Sequence, residues 1–461
     1  RNQSIKSLIK MNTKNFYWIT IAAFVLGCTP KKENSKVKLM TLDPGHFHAA
    51  LIQKTSYEDI DPTVNVYAPE GPEVKDFLNK IEGYNIRTKK PTNWIVKTHF
   101  SEDYLEKMIV EKPGNVMVVS GKNSKKIDYI LAAVNAGLNV YADKPLVVDQ
   151  DGFKKLEKVF EIAKKKNLLV YDIMTERFEV TTGIQKALSV KPEVFGMLLD
   201  GSPSKPSISK ESIHHLSKNV SGKPLVRPAW FLDTNQQGEG IVDVTTHLVD
   251  LIQWEAFPNQ IINRSDIEII SAKRWTTNLA PNQFKNITGL DSYPEYLQKD
   301  VESDTLNIYC NGEINYTIKG KHAKVSVIWN YKAPEGTGDT HQSIMRGTKS
   351  DLIIKQGEDE SFKPTLYVNA KKGANFESNL DQALQSLQGI YPGIMADKMS
   401  DLQWKIVIPK VLKIGHEAHF SQVTNNFLKY FKESKLPEWE VPNMISKYYT
   451  TTEAYKKAIE E

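Results

Sequence analysis

The chain has 461 residues, which is too long for one ordinary hydrophobic core and predicts two domains. A composition of 40% hydrophobic and 25% charged residues is typical of a folded, water-soluble protein and excludes a disordered or collagen-like chain. The net charge of +5 is spread along the sequence, so it indicates a solvated surface and no nucleic-acid partner.

The N-terminal segment has the pattern of a secretion signal. Lys14 precedes an unbroken run of apolar and small residues from Phe16 to Gly27, which ends at Cys28. The run is too short to cross a bilayer comfortably. Its last letters, VLGC, resemble the lipobox of bacterial lipoproteins, whose cysteine is acylated. We therefore expect Cys28 to be lipidated; the alternative is an uncleaved apolar N-terminal helix.

These features predict a location in the cell envelope. Residues 1–27 are the predicted signal peptide, residues 1–10 within them are interpreted as upstream read-through, and residues 28–36 form a tether. The lipid is the expected membrane contact, periplasmic or at the outer membrane. Cys310 is the other cysteine of the chain, so no internal disulfide is expected in the folded part.

Residues 37–172 alternate short apolar runs with amphipathic stretches, and the first helix is predicted from about His48. The runs are VKLM, VNVYA, NWIVKTHF, NVMVVS, NVYA and LLVYD. Six such strands separated by helices predict a doubly wound parallel sheet, a Rossmann-like α/β domain. The carboxyl ends of its strands meet at one edge, where ligands bind.

Residues 173–461 predict an α+β domain with a mostly antiparallel sheet. A tract rich in Ser, Pro and Lys from Ser202 to Lys223 is interpreted as a loop. Adjacent strand-like segments follow with turns between them: IEIISAKRW, TLNIYC, INYTIKG and AKVSVIWNY. From Asn379 the chain is predicted to be mostly helical, including the stretch WKIVIPKVLKIGHEAHF, so helices close this domain.

The turn after the first strand reads LDPGHFH, where a dinucleotide-binding fold usually has G-x-G-x-x-G. The middle glycine, Gly45, remains, and the amides of the following helix could hold a phosphate. Two other interpretations are open: the histidines bind a metal, or one packs and the other caps the helix. The predicted cofactor contacts in this turn are Asp43, Gly45, His46, Phe47 and His48.

Further cofactor contacts are expected at the ends of later strands. Glu70 follows the second strand roughly 25 residues beyond Gly45, near the separation of about 20 that is usual for an acid binding the ribose. No basic residue directly follows Glu70, which favours NAD; NADP is the alternative. The loop after the fourth strand adds Ser120, Gly121 and Asn123.

A lysine at the end of the fifth strand has an unusual position. In ADKPL, Pro145 cannot continue a ladder, so the chain leaves the sheet and Lys144 is directed into the crevice at the strand end. A lysine before proline is ordinarily a solvated charge, whereas a parallel strand places this one at the ligand edge.

The stretch GEGIVDVTTHLVDLIQW predicts a helix that begins after two glycines. Asp243, His247 and Asp250 fall on one face of it. They could form a surface face or hold a single metal ion. The interpretation we favour is that His247 is a general base, oriented by Asp243.

With DKPL and GIVDVTTHLVD in this order, the chain resembles the Gfo/Idh/MocA family of sugar oxidoreductases, from Val37 to about Trp254. The resemblance implies a Rossmann domain, a C-terminal sheet domain, a nicotinamide cofactor and a catalytic set of Lys144, Asp243 and His247. Two departures are the degenerate glycine loop and Asp143, which stands where the family has Glu; both concern cofactor affinity.

The tract ESIHHLSKNVSGKPLVRPAWF offers polar donors and an aromatic ring suited to a sugar. The predicted substrate contacts are His215, Lys218, Arg227, Trp230, Asp243 and His247; His214 and Lys223 lie in the same tract. No metal ligand is assigned, since neither histidine of LDPGHFH has a Cys, Asp or Glu at ligand spacing apart from Asp43. SGKNS and HEAH match neither a P-loop nor a zinc helix.

The expected function is NAD(P)-dependent oxidation or reduction of a carbohydrate hydroxyl or keto group. Free NAD is scarce outside the cytoplasm, so a tightly held, recycled cofactor is expected. One alternative is an NAD-dependent glycosidase that works by transient oxidation of the sugar. Another is a carbohydrate-binding lipoprotein without catalysis. The expected partner is a small carbohydrate, and a homo-oligomer is compatible with the sequence.

Overall fold

The computed structural model describes residues 36–220, 223–372 and 375–460. The predicted signal peptide, Cys28 and the tether up to residue 35 lie outside the described residues. Within the described part of the chain, no helix has the length and apolar character needed to span a membrane.

The first sheet is built from six parallel strands in the order β3-β2-β1-β4-β5-β6. The strands are β1 (Leu39–Leu42), β2 (Thr63–Ala68), β3 (Ile95–Phe100), β4 (Val116–Val119), β5 (Asn139–Asp143) and β6 (Val170–Ile173). The helices between them are α1 (His48–Leu51), α2 (Pro72–Ile86), α3 (Tyr104–Glu111), α4 (Asn123–Asn135) and α5 (Gln150–Lys166). All six predicted strands are confirmed. The order reverses between β1 and β4, which is where doubly wound sheets bind ligands.

The central strands of this sheet are apolar on both faces because helices cover both sides. All four residues of β4 are buried, so the run VMVV shows no alternation. Helix α5 begins where the Asp149 side chain accepts a hydrogen bond from the Gly152 amide, and it ends at Asn167 in the left-handed conformation.

The first helix differs from the prediction. Helix α1 has four residues, and Phe47 at its N-cap makes no side-chain capping bond. Its alanines and leucine are buried against the sheet, so the run HAAL packs without extending into a long helix. Helix α1 is therefore short, and the binding of a phosphate by its first amides stays a prediction.

The second sheet has ten strands in the order β10-β12-β13-β7-β14-β15-β16-β18-β17, with β11 paired to β12. The pair β13–β7 is parallel and the other pairs are antiparallel. Its strands are β7 (Ile208–Ser217), β10 (Ile267–Leu279), β11 (Val301–Glu302), β12 (Thr305–Ile318), β13 (Lys321–Lys332), β14 (Thr340–Arg346), β15 (Ser350–Lys355), β16 (Thr365–Ala370), β17 (Met395–Ser400) and β18 (Gln403–Val407). Strands β8 (Asn219–Val220) and β9 (Lys223–Pro224) form a separate hairpin. The mostly antiparallel α+β prediction is confirmed.

The helices of this half are α6 (Val180–Ser189), α7 (Thr234–Gln237), α8 (Thr245–Ala256), α9 (Pro281–Thr288), α10 (Phe376–Ser386), α11 (His416–Glu433) and α12 (Glu440–Glu460). The last two return to the first sheet and complete its core. Phe420 and Phe427 of α11 pack with Leu39 and Val66. Met444 and Tyr448 of α12 pack on the other side.

Two predictions for this half are wrong. The supposed loop from Ser202 to Lys223 contains β7, an inner strand of the sheet. Its inward residue Lys210 is fully buried with its Nζ 2.8 Å from Glu255 Oε1, so a charged residue interrupts the apolar alternation. The stretch after Asn379 includes β17 and β18, where Trp404 and Ile406 both face inward at the two-residue spacing of a strand.

Candidate active site

Lys144 and Asp243 meet at the carboxyl end of β5. The Nζ atom of Lys144 donates a hydrogen bond of 2.6 Å to Asp243 Oδ1, and the two side chains are 10% and 8% exposed. Strand β5 ends at Asp143 and the chain leaves the sheet at Pro145, so Lys144 is directed into the crevice as the sequence predicts. The two predicted catalytic residues therefore form one ion pair shielded from water.

The second oxygen of Asp243 is held by the helix before it. Gln237 Nε2 donates to Asp243 Oδ2 at 3.1 Å, and Asn123 Nδ2 donates to the Gln237 carbonyl at 2.8 Å. Asn123 is the first residue of α4, so the loop after β4 is tied to the catalytic carboxylate. Asn123 lies in the site, where its amide positions Gln237.

His247 lies on α8, which begins at Thr245, two residues after Asp243. Its Nδ1 is buried without a hydrogen-bond partner among the described residues. Burial, and next the nearby Lys144 ammonium, lower the pKa of His247 to about 3. The imidazole is therefore neutral and able to accept a proton. The structure pairs Asp243 with Lys144 and Gln237, so the expected orientation of His247 by Asp243 is not what positions this ring.

Asp250 belongs to a separate buried cluster. Arg177 donates to both its oxygens, at 2.6 and 2.7 Å, and Lys447 Nζ lies 2.9 Å from Oδ1. Arg177 also bonds Glu440. With its carboxylate taken up by two cations, Asp250 does not join Asp243 and His247 as a metal ligand. The cluster instead fixes α8, which carries His247, against α12.

The turn after β1 closes on the loop after β4. Asp43, in the register of the first glycine of the usual motif, has a φ of 44°, a left-handed backbone that glycine adopts most easily. The amides of Gly45 and His46 both donate to the Ser120 carbonyl at 3.1 Å. A Cβ on Gly121 would lie 2.6 Å from the Asp43 carbonyl, so glycine is required there for close packing of the two loops.

The histidines of this turn face Asp143. His48 Nδ1 lies 3.0 Å and His46 Nδ1 3.7 Å from Asp143 Oδ2, which also accepts a 2.9 Å bond from Ser120 Oγ. Burial lowers the pKa of both histidines, and for His46 the charge of His48 is the next cause. Burial alone would raise the pKa of Asp143, but the neighbouring His48 holds it well below its usual range. The two imidazole rings contact each other edge to face, with centroids 4.2 Å apart, and the Phe47 ring packs against both.

Glu70 stands apart from this group. It follows β2 and its side chain is 67% exposed, with Lys75 Nζ 3.8 Å away. The position suits the ribose acid of a dinucleotide, at the carboxyl edge of the same sheet. No basic residue is adjacent to Glu70 in the sequence, but Lys75, in the first turn of α2, lies close to it in the structure.

The predicted substrate residues divide into two groups. Trp230 is 4% exposed and packs against Gly45 in the turn after β1. A Cβ added to Gly45 would lie 3.3 Å from the Cζ2 atom of Trp230. Arg227 is buried, donates to the carbonyls of His215 and Leu216, and lies over Phe231 and Trp329. Burial lowers its pKa to about 10. Trp230 thus adjoins the cofactor edge, and Arg227 adjoins the second sheet.

His215 and Lys218 gather around an aspartate that no sequence motif marks. Asp339 lies 3.0 Å from His214 Nδ1 and 3.5 Å from His215 Nδ1, and it pairs with Lys218. His214 stacks on Trp329, with ring centroids 4.8 Å apart. Asp339 and Trp329 are distant in sequence from this tract, so sequence reasoning misses both.

A small pocket extends from Trp329, on which His214 stacks, to Asp243. Aromatic and small residues line it, including Phe231, Trp329, Gly238 and Gly240. A Cβ on Gly240 would clash with the Cys310 carbonyl at 1.7 Å, so this glycine allows the turn before α8 to pack on β12. A ligand in the pocket would reach the carboxylate that holds Lys144.

A nicotinamide dinucleotide fits these residues at its two ends. At the reacting end, His247 Nδ1 and Trp230 Nε1 are buried polar atoms without a hydrogen-bond partner in the described chain. At the ribose end, the Glu70 side chain is exposed to solvent, with Lys75 as its neighbour. Between them, the amides of Gly45 and His46 already donate to the Ser120 carbonyl, so a pyrophosphate would need other donors.

Comparison with known proteins identifies the family. The family model described as "Putative oxidoreductase C terminal domain" matches residues 184–459. A crystal structure described as a "putative oxidoreductase" from Parabacteroides merdae ATCC 43184 is 55% identical, with a TM-score of 0.90 over 92% of this chain and 98% of that one. No curated protein matches.

More distant structures share the fold. Levoglucosan dehydrogenase in complex with NADH is 12% identical, with a TM-score of 0.58 over 92% of this chain and 97% of that one. Biliverdin reductase from Synechocystis sp. PCC 6803, in complex with biliverdin and NADP+, is 11% identical, with a TM-score of 0.55 over 91% of this chain and 98% of that one. With the matched domain covering more than half of its length, the chain belongs to this family of oxidoreductases, of the Gfo/Idh/MocA type.

Proposed function

We propose that the chain is an NAD(P)-dependent oxidoreductase that transfers hydride to or from a carbohydrate carbon bearing a hydroxyl or keto group. The observation that carries the proposal is the shielded ion pair between Lys144 and Asp243 beside the helix of His247. These groups lie at the carboxyl end of β5, at the edge where doubly wound sheets bind dinucleotides. The relatives crystallised with NADH and NADP+ support the cofactor class.

The residues that would hold the dinucleotide are Lys144 at the nicotinamide, Gly45 and Gly121 near the phosphates, and Glu70 at the ribose. When bound, the nicotinamide supplies the hydride acceptor or donor. NAD is the proposed cofactor because Glu70 suits a ribose diol. NADP is the alternative, since Lys75 lies within 3.8 Å of Glu70.

The protein groups manage the proton and the charge on the substrate oxygen. Neutral His247 accepts the proton of the hydroxyl in the oxidation direction and returns it in the reduction direction. The Lys144 ammonium, held by Asp243, stabilises the alkoxide that develops on the oxygen and so lowers the pKa of the hydroxyl. Gln237 fixes the carboxylate, so the lysine is positioned before substrate binds.

A carbohydrate is the proposed substrate because the pocket next to Asp243 combines aromatic rings with polar groups. Phe231 and the buried Trp329 give the pocket an apolar aromatic wall, and the neighbouring His214, His215 and Asp339 carry hydrogen-bonding groups. Sugars present such a mixture of apolar ring faces and hydroxyls. A levoglucosan dehydrogenase among the structural relatives supports the same substrate class.

The site of action that we propose is the cell envelope, with Cys28 as the lipid anchor. A freely exchanging nicotinamide cofactor would be diluted there, so the proposal includes a tightly held cofactor that is regenerated within each catalytic cycle. The motivation is the sequence VLGC that precedes the folded chain.

The test is hydride transfer by the purified folded chain. In a single turnover with bound NAD+ and a panel of monosaccharides and disaccharides, we expect reduced nicotinamide to form on the protein with at least one sugar, without net consumption of the cofactor over many turnovers. His247→Ala should lower that rate by about 10² to 10⁴. His322→Ala, on β13 of the second sheet, is the matched control and should retain it. A His247→Ala enzyme that keeps more than about a tenth of the rate would contradict the role of His247.

A further inference from the structure

The turn after β1 and the end of β5 bring three metal-binding side chains together. The candidate ligand atoms of His46, His48 and Asp143 all lie within 4.8 Å of one another. Among the described residues, they form the one such group of His, Cys, Asp and Glu. His46 and His48 precede Asp143 by about 95 residues, so this grouping is a property of the fold and cannot be deduced from ligand spacing.

The distances match a coordination sphere. Both Nδ1 atoms face the same carboxylate oxygen of Asp143, at 3.7 Å from His46 and 3.0 Å from His48. Ligand atoms bound at about 2.0–2.1 Å around a tetrahedral ion lie about 3.4 Å apart, near the two distances to Asp143. An ion there would replace the hydrogen bond between His48 Nδ1 and Asp143 Oδ2 and the 3.3 Å bond from the His48 amide to His46 Nδ1. Two imidazoles and a carboxylate leave a further position for water or substrate.

The surroundings support the ligands. Ser120 Oγ donates to the same Asp143 oxygen at 2.9 Å, a bond that orients a metal-binding carboxylate. The rings of Phe420 and Phe47 pack on His48 at 4.8 and 4.4 Å between centroids, which limits access of water. The side chains of His46 and His48 are 19% and 13% exposed, so an ion can still enter.

The nearby positive charges are already occupied. Lys144 is paired with Asp243, and Lys126 donates to the carbonyls of Asp143 and Pro145 and to Asn123 Oδ1. Neither lysine forms a direct ion pair with the Asp143 carboxylate among the described contacts. The Asp143 carboxylate is bonded to Ser120 Oγ and His48 Nδ1, so a cation held by the two histidines would bind it in place of the His48 hydrogen bond.

We propose that His46, His48 and Asp143 bind one divalent transition-metal ion of the class that prefers imidazole and carboxylate, with Zn²⁺ as its representative. The ion would lie at the carboxyl edge of β1 and β5, next to Lys144. This binding does not require the dinucleotide or the substrate, so it stands independently of the proposed function.

The experiment is calorimetric titration of chelator-treated, folded protein with Zn²⁺, in the absence of dinucleotide and sugar, together with the visible spectrum after addition of Co²⁺. Wild type should bind one ion per chain and show the Co²⁺ absorption of a low-coordinate site. Removing both imidazoles in His46→Ala/His48→Ala should abolish both signals. Ser120→Ala, which keeps all three ligands, should weaken Zn²⁺ about 10- to 100-fold.

The control is His322→Ala, which removes a histidine far from this cluster and should leave Zn²⁺ affinity unchanged. Circular dichroism of each variant establishes that it is folded. If the double variant fails to fold, the single variants His46→Ala and Asp143→Asn replace it, with the same loss expected. Wild-type protein that binds Zn²⁺ no more tightly than a folded variant lacking a ligand overturns the proposal, as does a Co²⁺ spectrum that these substitutions leave unchanged.

Discussion

The Nζ atom of Lys144 lies 2.6 Å from Asp243 Oδ1, although 99 residues separate the two in sequence. The contact joins the end of β5 to the turn before α8, so it aligns the two halves of the chain at the reacting centre. Both side chains are nearly buried, and in such surroundings an ion pair is screened little by salt. The lysine is thereby held in one place.

Removing the lysine charge should reduce the chemical step more than binding. For Lys144→Met we expect turnover to fall by about 10²- to 10³-fold, the usual effect of removing one group that stabilises a developing oxyanion. Steady-state kinetics with the sugar found in the panel would measure it. Lys155→Met, an exposed lysine on α5, is the control. Unchanged turnover in Lys144→Met would show that the ammonium does not contact the reacting oxygen.

The activity should not fall on acidification near pH 6.5, where an ordinary histidine becomes protonated. Because burial lowers the pKa of His247 to about 3, its neutral, proton-accepting form persists well below pH 6.5. We therefore expect kcat/KM to show no acid limb from this residue near pH 6.5. A full pH profile would check this. A limb near pH 6.5 that disappears in His247→Gln would contradict it.

The same pKa has a consequence for stability. Below pH 6.5 the unfolded chain protonates His247 while the folded chain does not, so the free energy of unfolding falls as the pH drops from 6.5 towards about 3. The contribution is at most about 1.4 kcal/mol per pH unit. In His247→Gln, urea unfolding should therefore depend less steeply on pH over this range. Equal slopes for variant and wild type would show that burial of neutral His247 does not link protonation to folding.

The buried charge cluster should be essential for stability. Lys447 is fully buried, with Nζ 2.7 Å from Asp172 and 2.9 Å from Asp250. Lys447→Ala leaves two carboxylates with one fewer cation, and we expect it to cost about 3–5 kcal/mol in chemical unfolding. Lys435→Ala, an exposed lysine after α11, should change it by less than about 0.5 kcal/mol. Similar losses in the two variants would mean that the cluster is not coupled to folding.

Two glycine substitutions should have opposite effects. In Gly121→Ala, the new Cβ would lie 2.6 Å from the backbone oxygen of Asp43, so we expect a loss of about 1–3 kcal/mol and a displaced loop after β1. Gly83 lies within α2 with nothing within 4 Å of a Cβ, so Gly83→Ala should stabilise the chain by about 0.5–1 kcal/mol. Thermal unfolding of both variants would measure this. Equal shifts in Tm would contradict the close packing of the two loops.

The first sheet could be predicted because its strands are short apolar runs between amphipathic helices. The second sheet is harder to predict. Strand β7 carries Lys210 on its inner face, and the partner that neutralises the lysine, Glu255, lies on α8. Strand β18 lies in the run WKIVIPKV, where Trp404, Val407 and Val411 fit a helical period while Trp404 and Ile406 fit a strand. The secondary structure of such segments is determined by residues that are close in space but distant in sequence, which a local pattern does not include.

The candidate site shows the same division. Lys144, Asp243 and His247 could be named because DKPL and GIVDVTTHLVD, in this order, resemble the motifs of one family. The predicted helix is too long, since Asp243 lies in the turn before α8. That Asp243 bonds Lys144, and that Asp143 faces His46 and His48, depends on the order of β1, β4 and β5 in the sheet. Asp339 could not be identified, since it lies in a loop more than 120 residues beyond His215.

Release of cofactor from the purified protein decides most directly between a dinucleotide-dependent enzyme and a binding protein. The folded chain would be denatured and the supernatant analysed for nicotinamide dinucleotides by mass spectrometry, with calorimetric titration of NAD+ into the native protein alongside. We expect a released dinucleotide or, after its removal, saturable binding of NAD+ that restores hydride transfer. Absence of both released dinucleotide and NAD(P) binding would contradict the proposed function and favour a carbohydrate-binding protein without catalysis.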